Sequence, residues 1–560
     1  MPRSPLLQSV ARAMRIGEFS LRHGLSAHEA MQRLGEAAEA SPRPSRRNVL
    51  AAATGVVAGA TLGSVGRSFG TNPRSTPTVA IIGGGMAGMA CAERLQRRGI
   101  IATVYESNSA RLGGRIKSES LIFPGQVAEL GGEMIDTTHQ TIRGYARDLG
   151  LTLESLVRAP GESTYYFGGQ HHSEEDIVAE YCEMVQRMRP DMQACSGAPD
   201  FWTHNAADIA LDWTDLATYL DTRAAGLPLV RAVLDEAYVA EYGLEAHEQS
   251  CLNMLLFIHL DCRAHFAEFG VFSDERFHVV EGNAELVNGL AATFTGTIAM
   301  GSRLTSLAKN GSGKYVLGFA GGGTELADAV VLAVPFSVLR SVSLSPTLGL
   351  SADKIRAIDE LGYGSNCKTM IGFNGRPWTS LGRDGLAYSD LPNVQTTWET
   401  SWTTAGPTSV LTDYASGDRA RALQVLSTTG SYCGQCHGGS GGFLDINEGV
   451  MQGQAGAFLS DLDTIWPGAA AAASRNGDGG LVMARGHWLP QSASRGSYTC
   501  YTPGQFTGLA GLESESAGAL KFAGEHADSF YAWQGFMEGA ALSGIAAADE
   551  ILGDVLHGRI

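Results

Sequence analysis

Val79-Ala-Ile-Ile-Gly-Gly-Gly-Met-Ala-Gly88 decides the fold of this 560-residue chain. An apolar, β-branched run leads into Gly83, Gly85 and Gly88, and residues 86–98 continue with a helical pattern. The glycines let the backbone turn sharply and approach a pyrophosphate, while the helix N-terminus offers free N–H groups. Strand, turn and helix in this order are the context that the dinucleotide-binding fingerprint requires. The sequence therefore predicts a dinucleotide-binding βαβ unit near the start of the folded chain.

A second predicted strand, Ala102-Thr-Val-Tyr-Glu106, supports this interpretation. It ends in Glu106, about 20 residues after the glycine turn, where an adenosine ribose needs an acceptor for its hydroxyl groups. We expect Glu106 to bind that ribose.

Length and composition indicate a soluble globular protein with two connected domains. The chain is 44% hydrophobic and 18% charged, with a net charge of −17. This acidic balance argues against nucleic-acid binding and is compatible with a cationic substrate.

The first 75 residues are predicted to lie outside the fold. Ser45-Arg-Arg-Asn-Val-Leu50 precedes a weakly apolar, acid-free stretch over 51–66, a pattern typical of a twin-arginine export signal. That stretch is too short and too rich in glycine and alanine to be a stable membrane anchor. We expect export to the periplasm or the medium, and the true start could be Met14 or Met31.

Nine scattered cysteines indicate no disulfide framework, and no metal site is predicted. Cys433-Gly-Gln-Cys436-His437 matches a c-type haem attachment signature within a Gly/Ser-rich stretch. A local disulfide or redox pair and a plain loop are the alternatives, and the loop is favoured.

The order of patterns along the chain predicts two interleaved domains. Helical periodicity dominates 174–269, as in Tyr238–His259, whereas Lys314–Phe319 alternates like a strand of a small sheet. After an export region and linker over 1–75, the dinucleotide-binding domain is expected to take three segments and the substrate domain two, with the active site in the cleft between them. The dinucleotide segments are 76–165, 277–345 and 496–560, and the substrate segments are 166–276 and 346–495.

Six segments together resemble the flavin-containing amine oxidases, which include monoamine, polyamine and L-amino-acid oxidases. They are Gly83–Gly88, Arg111–Arg115, Glu129–Gly132, Asp328–Pro335, Phe522–Glu525 and Gly535–Gly544. The resemblance covers about Thr78 to Leu552. It implies an α/β fold in which a Rossmann-like FAD-binding domain is interleaved with a mixed-sheet plus helical substrate domain, as in monoamine oxidases.

The resemblance implies FAD as the cofactor and assigns its contacts. Arg115 would lie against the phosphates or ribityl chain, and Glu525 against the ribityl–pyrophosphate region. The Met537 backbone, at a helix N-terminus, would stabilise negative charge on the flavin pyrimidine. The position of the flavin-linked cysteine of monoamine oxidases is Ser497, so FAD is expected to be non-covalent. The other implied FAD-binding residues are Gly83, Gly85, Met86, Ala87, Gly88, Gly131, Gly132, Leu304 and Gly535.

The resemblance also assigns three catalytic residues. Lys368, in Gly364–Phe373, matches the lysine that holds a water against flavin N5 and assists the reaction of reduced flavin with oxygen. Tyr498 and Phe536 match the two aromatic rings that flank the substrate amine in front of the flavin.

The identity of the amine stays open at this point. L-Amino-acid oxidases usually carry a carboxylate-binding arginine shortly after the Leu-Gly segment, and this chain has Met134 there. Glu133 and Asp136 could line the entrance and bind a distal ammonium of a diamine, polyamine or basic amino acid. Alternatively, these acids could cap a helix beginning near Thr137.

The sequence therefore predicts an FAD-dependent amine oxidase that converts a small amine and O2 to an imine, then an aldehyde, ammonia and hydrogen peroxide. An L-amino-acid oxidase is the nearest alternative. A dehydrogenase that passes electrons to a cytochrome or quinone, and a flavin-bearing binding protein without turnover, are alternatives of other classes. Whether the protein forms a homodimer is left open by the sequence.

Overall fold

A computed structural model of the chain describes residues 76–156, 161–256, 275–401, 404, 406–423, 448–527 and 533–560. The predicted export region over 1–75 and the Cys433–His437 motif lie outside the described residues.

A five-stranded parallel sheet carries the glycine turn. Its strand order is Leu520–Phe522, Ala329–Leu332, Val79–Ile82, Thr103–Tyr105 and Thr297–Ala299. Every neighbouring pair is parallel, and the central strand Val79–Ile82 is buried throughout, as expected for a sheet covered on both faces. Strands from three distant parts of the chain build this sheet, so the predicted Rossmann-like, interleaved fold is confirmed.

The helix after the glycine turn spans Met86–Arg97, one residue shorter than predicted. It packs against the C-terminal helix Met537–Leu556. Two close approaches require glycine: a Cβ on Gly88 would lie 1.9 Å from the Gly83 carbonyl oxygen, and one on Gly544 would lie 2.1 Å from that of Ala87. The glycines therefore bring the first strand and both helices together.

A four-stranded sheet extends the dinucleotide-binding domain. Its strand order is Thr324–Ala327, Tyr315–Phe319, Leu304–Lys309 and Ser343–Leu344. The predicted strand over 314–319 is thus present from Tyr315 onwards.

A seven-stranded mixed sheet forms the floor of the substrate domain. Its strand order is Met483–His487, Asn366–Phe373, Ser409–Ser416, Thr396–Glu399, Arg383–Ser389, Glu162–Phe167 and Gln170–His172. The predicted domain change at 165/166 falls inside the strand Glu162–Phe167, which pairs with Arg383–Ser389. The structure therefore places the change before Glu162.

Helices cover the substrate domain, as the periodicity over 174–269 predicts for its described part. They are Glu174–Ala194, Ala206–Asp212, Leu216–Arg223, Pro228–Tyr242 and the 3-10 turn Ala246–Glu248. The described part of Tyr238–His259 is helical but not one continuous helix, because Gly243 adopts φ 73°, ends the helix and donates its N–H to the Val239 carbonyl. Residues 257–259 lie outside the described part of the chain.

The remaining elements are short strands and connecting helices. The short strands form two pairs, Ser118–Glu119 with Ala128–Glu129 and Leu153–Ser155 with Phe277–Val279. The α-helices are Gln140–Asp148, Ala284–Thr293, Phe336–Leu339, Ala352–Glu360, Gly417–Ala422, Glu448–Ile465, Ala469–Ala472 and Gln505–Gly508. The 3-10 turns are Pro346–Leu348, Pro377–Leu381, Leu512–Ser514 and Glu525–Ala527. Within the described ranges, no helix has the length and apolar character needed to cross a membrane.

Glu538 fixes the helix Gln140–Asp148 against the C-terminal helix. Its two carboxylate oxygens accept hydrogen bonds from the Thr141 and Ile142 backbone N–H groups, both at 2.8 Å. A buried carboxylate from another helix thus satisfies two N–H groups that a helix start leaves free.

We expect Glu538→Ala to lower the free energy of unfolding by about 1–3 kcal/mol, because two backbone donors lose a charged acceptor. Urea unfolding followed by circular dichroism measures this change. Asp549→Ala is the matched control on the same helix, since its pair with Arg94 is solvent-exposed and should contribute only about 0–1 kcal/mol. Equal effects of the two variants would contradict the assigned capping role.

Candidate active site

An elongated cavity runs from the glycine turn of the parallel sheet to the substrate-domain strand that carries Lys368. Backbone from three glycine-rich segments forms much of its wall. All predicted cofactor and catalytic residues except Gly88 line it: Gly83, Gly85, Met86, Ala87, Glu106, Arg115, Gly131, Gly132, Leu304, Lys368, Tyr498, Glu525, Gly535, Phe536 and Met537. Gly88 instead packs against Gly83 inside the turn.

Glu106 marks one end of the cavity. Its Oε2 accepts from the Gly84 N–H and its Oε1 from the Asn108 N–H, each at 2.7 Å. Oε1 also accepts from Ser107 Oγ at 3.1 Å. Because an ionised carboxylate can accept about four hydrogen bonds, about two on each oxygen, Oε2 keeps capacity for a further donor. Leu304 is buried nearby in the cavity wall. This end therefore fits the adenosine ribose.

Arg115 and Glu525 form an ion pair in the middle of the cavity. Arg115 Nη1 donates to Glu525 Oε1 and to the Ser497 carbonyl, both at 2.8 Å. The other Glu525 oxygen accepts from Thr499 Oγ1 at 2.8 Å and from the Gly535 N–H at 2.9 Å. Burial acts to raise the pKa of Glu525, but the adjacent Arg115 charge and these donors outweigh it, and the pKa is lowered.

Two glycines form the cavity wall beside the C-terminal helix. A Cβ on Gly131 would lie 2.0 Å from the Arg115 carbonyl oxygen, and one on Gly132 would meet the Met537 side chain at 3.2 Å. Gly131 thus lets its backbone approach that of Arg115, and Gly132 leaves room for the side chain of Met537, the first residue of the C-terminal helix. The positive end of that helix faces the cavity and fits the flavin pyrimidine.

Lys368 is buried at the far end of the cavity. Its ammonium donates to the carbonyl oxygens of Glu129 at 3.1 Å and Gly131 at 3.0 Å, and to Glu133 Oε2. These contacts use all three N–H donors of the ammonium. Lys368 could therefore bind a water at flavin N5 only if one of these three hydrogen bonds broke or shared its proton with the water. The predicted contact between Lys368 and such a water stays a prediction.

Glu133 lines the cavity but is paired with protein groups. Its Oε2 accepts from Lys368, and its Oε1 accepts from Trp398 Nε1 at 3.2 Å. The predicted contact between Glu133 and a substrate ammonium stays untested, although the structure gives this carboxylate two donors of its own.

Asp136 does not line the cavity, so the expected contact with a distal ammonium is wrong. The side chain is 1% exposed, and its Oδ1 accepts from the Glu275 N–H at 2.8 Å. The helix-cap alternative is wrong as well. The helix begins at Gln140 rather than near Thr137, and the cap residue His139 makes no side-chain cap bond there, because Glu538 supplies the acceptors.

Tyr498 and Phe536 line the same cavity as Lys368. The Tyr498 hydroxyl donates to the Glu241 carbonyl at 2.7 Å and lies 2.8 Å from the Tyr414 hydroxyl. Since Tyr498 gives its single proton to Glu241, Tyr414 must donate to Tyr498. Phe536 contacts the His139 ring edge-on at 5.1 Å between centroids.

Sequence patterns missed several residues of this wall, among them Trp398, Tyr414 and Glu275. Trp398 and Tyr414 lie on adjacent strands with ring centroids 5.3 Å apart, and both strands are buried on both faces, so alternation gave no indication of which side faces the site. Glu275 adopts φ 40°, a backbone conformation uncommon for a side chain of its kind and frequent at functional sites.

A Rossmann-like sheet, a glycine-walled cleft and an aromatic-walled end with a buried lysine define a two-domain FAD-dependent oxidoreductase. Comparison with known families agrees, and the chain belongs to the family described as flavin containing amine oxidoreductase, which it matches over residues 86–431 and 455–552. It is thus a flavin-dependent amine oxidoreductase with FAD as its cofactor. The FAD is bound non-covalently. A covalent thioether link to the flavin would require a cysteine thiol at position 497, where this chain has Ser497, whose hydroxyl donates to Asn366 Oδ1.

Comparison with individual proteins also supports this family assignment. The chain is 30% identical over 230 residues to a putative L-amino-acid oxidase, YobN, from Bacillus subtilis (strain 168), over 40% of this chain and 41% of that protein. It is 24% identical to pseudooxynicotine dehydrogenase from Pseudomonas sp, over 83% and 84% of the two chains. Among solved structures, cyclohexylamine oxidase from Brevibacterium oxydans IH-35A has the same fold, with a TM-score of 0.70 at 20% identity, over 86% of this chain and all of that one.

We expect Arg115→Met to weaken FAD binding about 10- to 100-fold, because the Glu525 carboxylate loses the charged partner that offsets its burial. Fluorescence titration of the apoprotein with FAD measures the dissociation constant. Arg94→Met is the control, since Arg94 forms an exposed pair away from the cavity. An unchanged dissociation constant for Arg115→Met would contradict the role given to the ion pair.

Proposed function

We propose that this chain is an amine oxidase acting on a primary or secondary amine that lacks an α-carboxylate. When bound, FAD supplies the acceptor for a hydride from the amine-bearing carbon, which leaves an imine after loss of the nitrogen proton. Water hydrolyses this imine to an aldehyde and ammonia, or to an aldehyde and a primary amine where the substrate is a secondary amine. We further propose that O2 takes both electrons and two protons to give hydrogen peroxide.

The charged residues of the cavity support the proposal that the substrate lacks an α-carboxylate. Among the described lining residues the cations are Arg115, Lys368 and Arg303. Arg115 is paired with Glu525, and Lys368 with Glu133. Arg303 is exposed, beside the Leu304 that lines the adenosine end. A substrate carboxylate at the Lys368 end would have to displace Glu133 and leave a buried, unpaired charge, which costs several kcal/mol.

The aromatic residues are proposed to orient the amine and exclude water. Tyr498 is held by Glu241 and Tyr414, and Trp398 by Glu133, so these rings are fixed before a substrate arrives. Their apolar faces remove the amine from water, which favours its neutral form over the ammonium. The neutral nitrogen has the lone pair that assists hydride departure.

An L-amino-acid oxidase is the second candidate, supported by the 30% identity to the Bacillus protein over 230 residues. The described cavity offers this candidate no carboxylate-binding arginine at the Lys368 end. A flavin dehydrogenase with another electron acceptor is the alternative of a different class.

Anaerobic mixing of the purified protein with putrescine, spermidine, phenylethylamine, arginine, lysine or leucine tests the substrate class. We expect the amines without a carboxylate to bleach the flavin absorbance fastest, and air to restore it with formation of peroxide. Bleaching by the amino acids alone would establish the second candidate. Fast bleaching with poor reoxidation by air, but rapid reoxidation by a quinone, would establish the dehydrogenase.

Lys368→Met tests the proposed reaction with oxygen. We expect reoxidation of the reduced enzyme by O2 to slow about 10- to 1,000-fold, the range for loss of one preorganised electrostatic group, while FAD affinity stays within about twofold. Stopped-flow absorbance measures the rate and fluorescence titration the affinity. Equal losses of rate and affinity would show that Lys368 serves only to build the cofactor site.

A further inference from the structure

Glu133 occupies a junction between two parts of the active-site wall. One carboxylate oxygen accepts from the Lys368 ammonium, and the other accepts from the Trp398 indole N–H at 3.2 Å. The side chain of Glu133 is 4% exposed and that of Lys368 is 9% exposed, so water screens their charges little.

Among the described residues, Glu133 is the only charged acceptor of Lys368. The other two acceptors, the carbonyl oxygens of Glu129 and Gly131, are neutral. The Glu129 carboxylate points elsewhere and accepts from Ser118 Oγ at 2.8 Å and from the Asn283 N–H at 2.7 Å. A buried ammonium that loses its charged acceptor is left with an uncompensated charge. The side chain then either moves to a different position or loses a proton.

Trp398 continues the same wall towards the proposed amine site. Its ring lies 5.3 Å from that of Tyr414, whose hydroxyl contacts Tyr498 at 2.8 Å. The indole N–H is a donor with no acceptor capacity, and Glu133 Oε1 is its recorded partner. Glu133 therefore fixes the orientation of the indole as well as the place of the ammonium.

We propose that Glu133 is a positioning residue that holds Lys368 for flavin reoxidation and Trp398 for amine binding, and that it does not itself bind a substrate ammonium. The inference rests on the proposed function of this site. It replaces the acid-lined entrance for a diamine, polyamine or basic amino acid, one of the two alternatives that the sequence leaves open, with an ion pair of no net charge in the wall.

Reoxidation of photoreduced enzyme by O2 is the first measurement, because light reduction of the flavin requires no amine. We expect Glu133→Gln to slow reoxidation at least about tenfold, since glutamine has one acceptor oxygen for two donors and no charge. In a Lys368→Met background the same change should have an effect below about twofold, because Glu133 acts through Lys368. Glu236→Gln, at an acid that pairs with Arg419 and does not line the described cavity, should leave the rate unchanged.

Trp398→Phe separates the second role from the first. We expect the dissociation constant of the amine to rise. Reoxidation should slow less than in Glu133→Gln, because Trp398→Phe keeps the pair of Glu133 with Lys368 and leaves an aromatic ring beside the ammonium, which lies 5.4 Å from the Trp398 ring centroid. In apoprotein labelled with 15N-tryptophan, Trp398→Phe also identifies the Trp398 indole resonance. Glu133→Gln should move that resonance, a readout that needs neither cofactor nor turnover.

Each opposite result overturns the proposal. Glu133→Gln with normal reoxidation, but with a KM raised for putrescine and not for phenylethylamine, would make Glu133 a substrate-binding residue. Equal slowing by Glu133→Gln with and without Lys368 would show a direct effect on the flavin. An indole resonance that does not shift in Glu133→Gln would show that the hydrogen bond from Trp398 to Glu133 does not exist in solution. Failure of every amine to reduce the flavin would refute the proposed function but would leave these measurements possible.

Discussion

The ion pair between Arg115 and Glu525 is the interaction on which the rest of the site depends. Arg115 follows the glycine turn, whereas Glu525 follows the last strand of the parallel sheet, 410 residues later. Through its second oxygen, Glu525 also holds Thr499 and the Gly535 N–H, next to Tyr498 and Phe536. This charge pair, with Glu525 buried and Arg115 partly exposed, thus links the cofactor cleft to the aromatic end of the cavity.

Lys368 shows how a buried charge is tolerated at the other end of the cavity. Its three protons go to three acceptors within Glu129–Glu133, the segment that also forms the cavity wall through Gly131 and Gly132. Full coordination stabilises the charge, but it leaves no donor for a water unless one contact is shared. Lys368 would then act on the flavin chiefly through its charge, and Glu133 would control how much of that charge the flavin experiences.

The sequence predicted features that depend on local patterns and failed where partners are distant. The glycine turn, the helix after it and the strand at Tyr315 follow from residues within one short stretch. The contact of Glu133 with Lys368 spans 235 residues, and that of Asp136 with Glu275 spans 139. No local pattern distinguishes an acid that faces a cavity from one that pairs inside the protein. Trp398 and Tyr414 were missed for the same reason, since strands buried on both faces lack an alternation that marks the functional side.

The hydrogen bonds of the aromatic wall also limit the chemistry that the protein can contribute. Tyr498 donates its proton to a backbone carbonyl and accepts one from Tyr414, so its hydroxyl is not placed to accept a proton from the amine. Glu133 is engaged by two donors, and Lys368 is an ammonium with no acceptor capacity. None of these three groups is placed to act as a general base towards the proposed amine. Shape, burial and fixed charge, rather than proton transfer from these side chains, are therefore what this wall supplies.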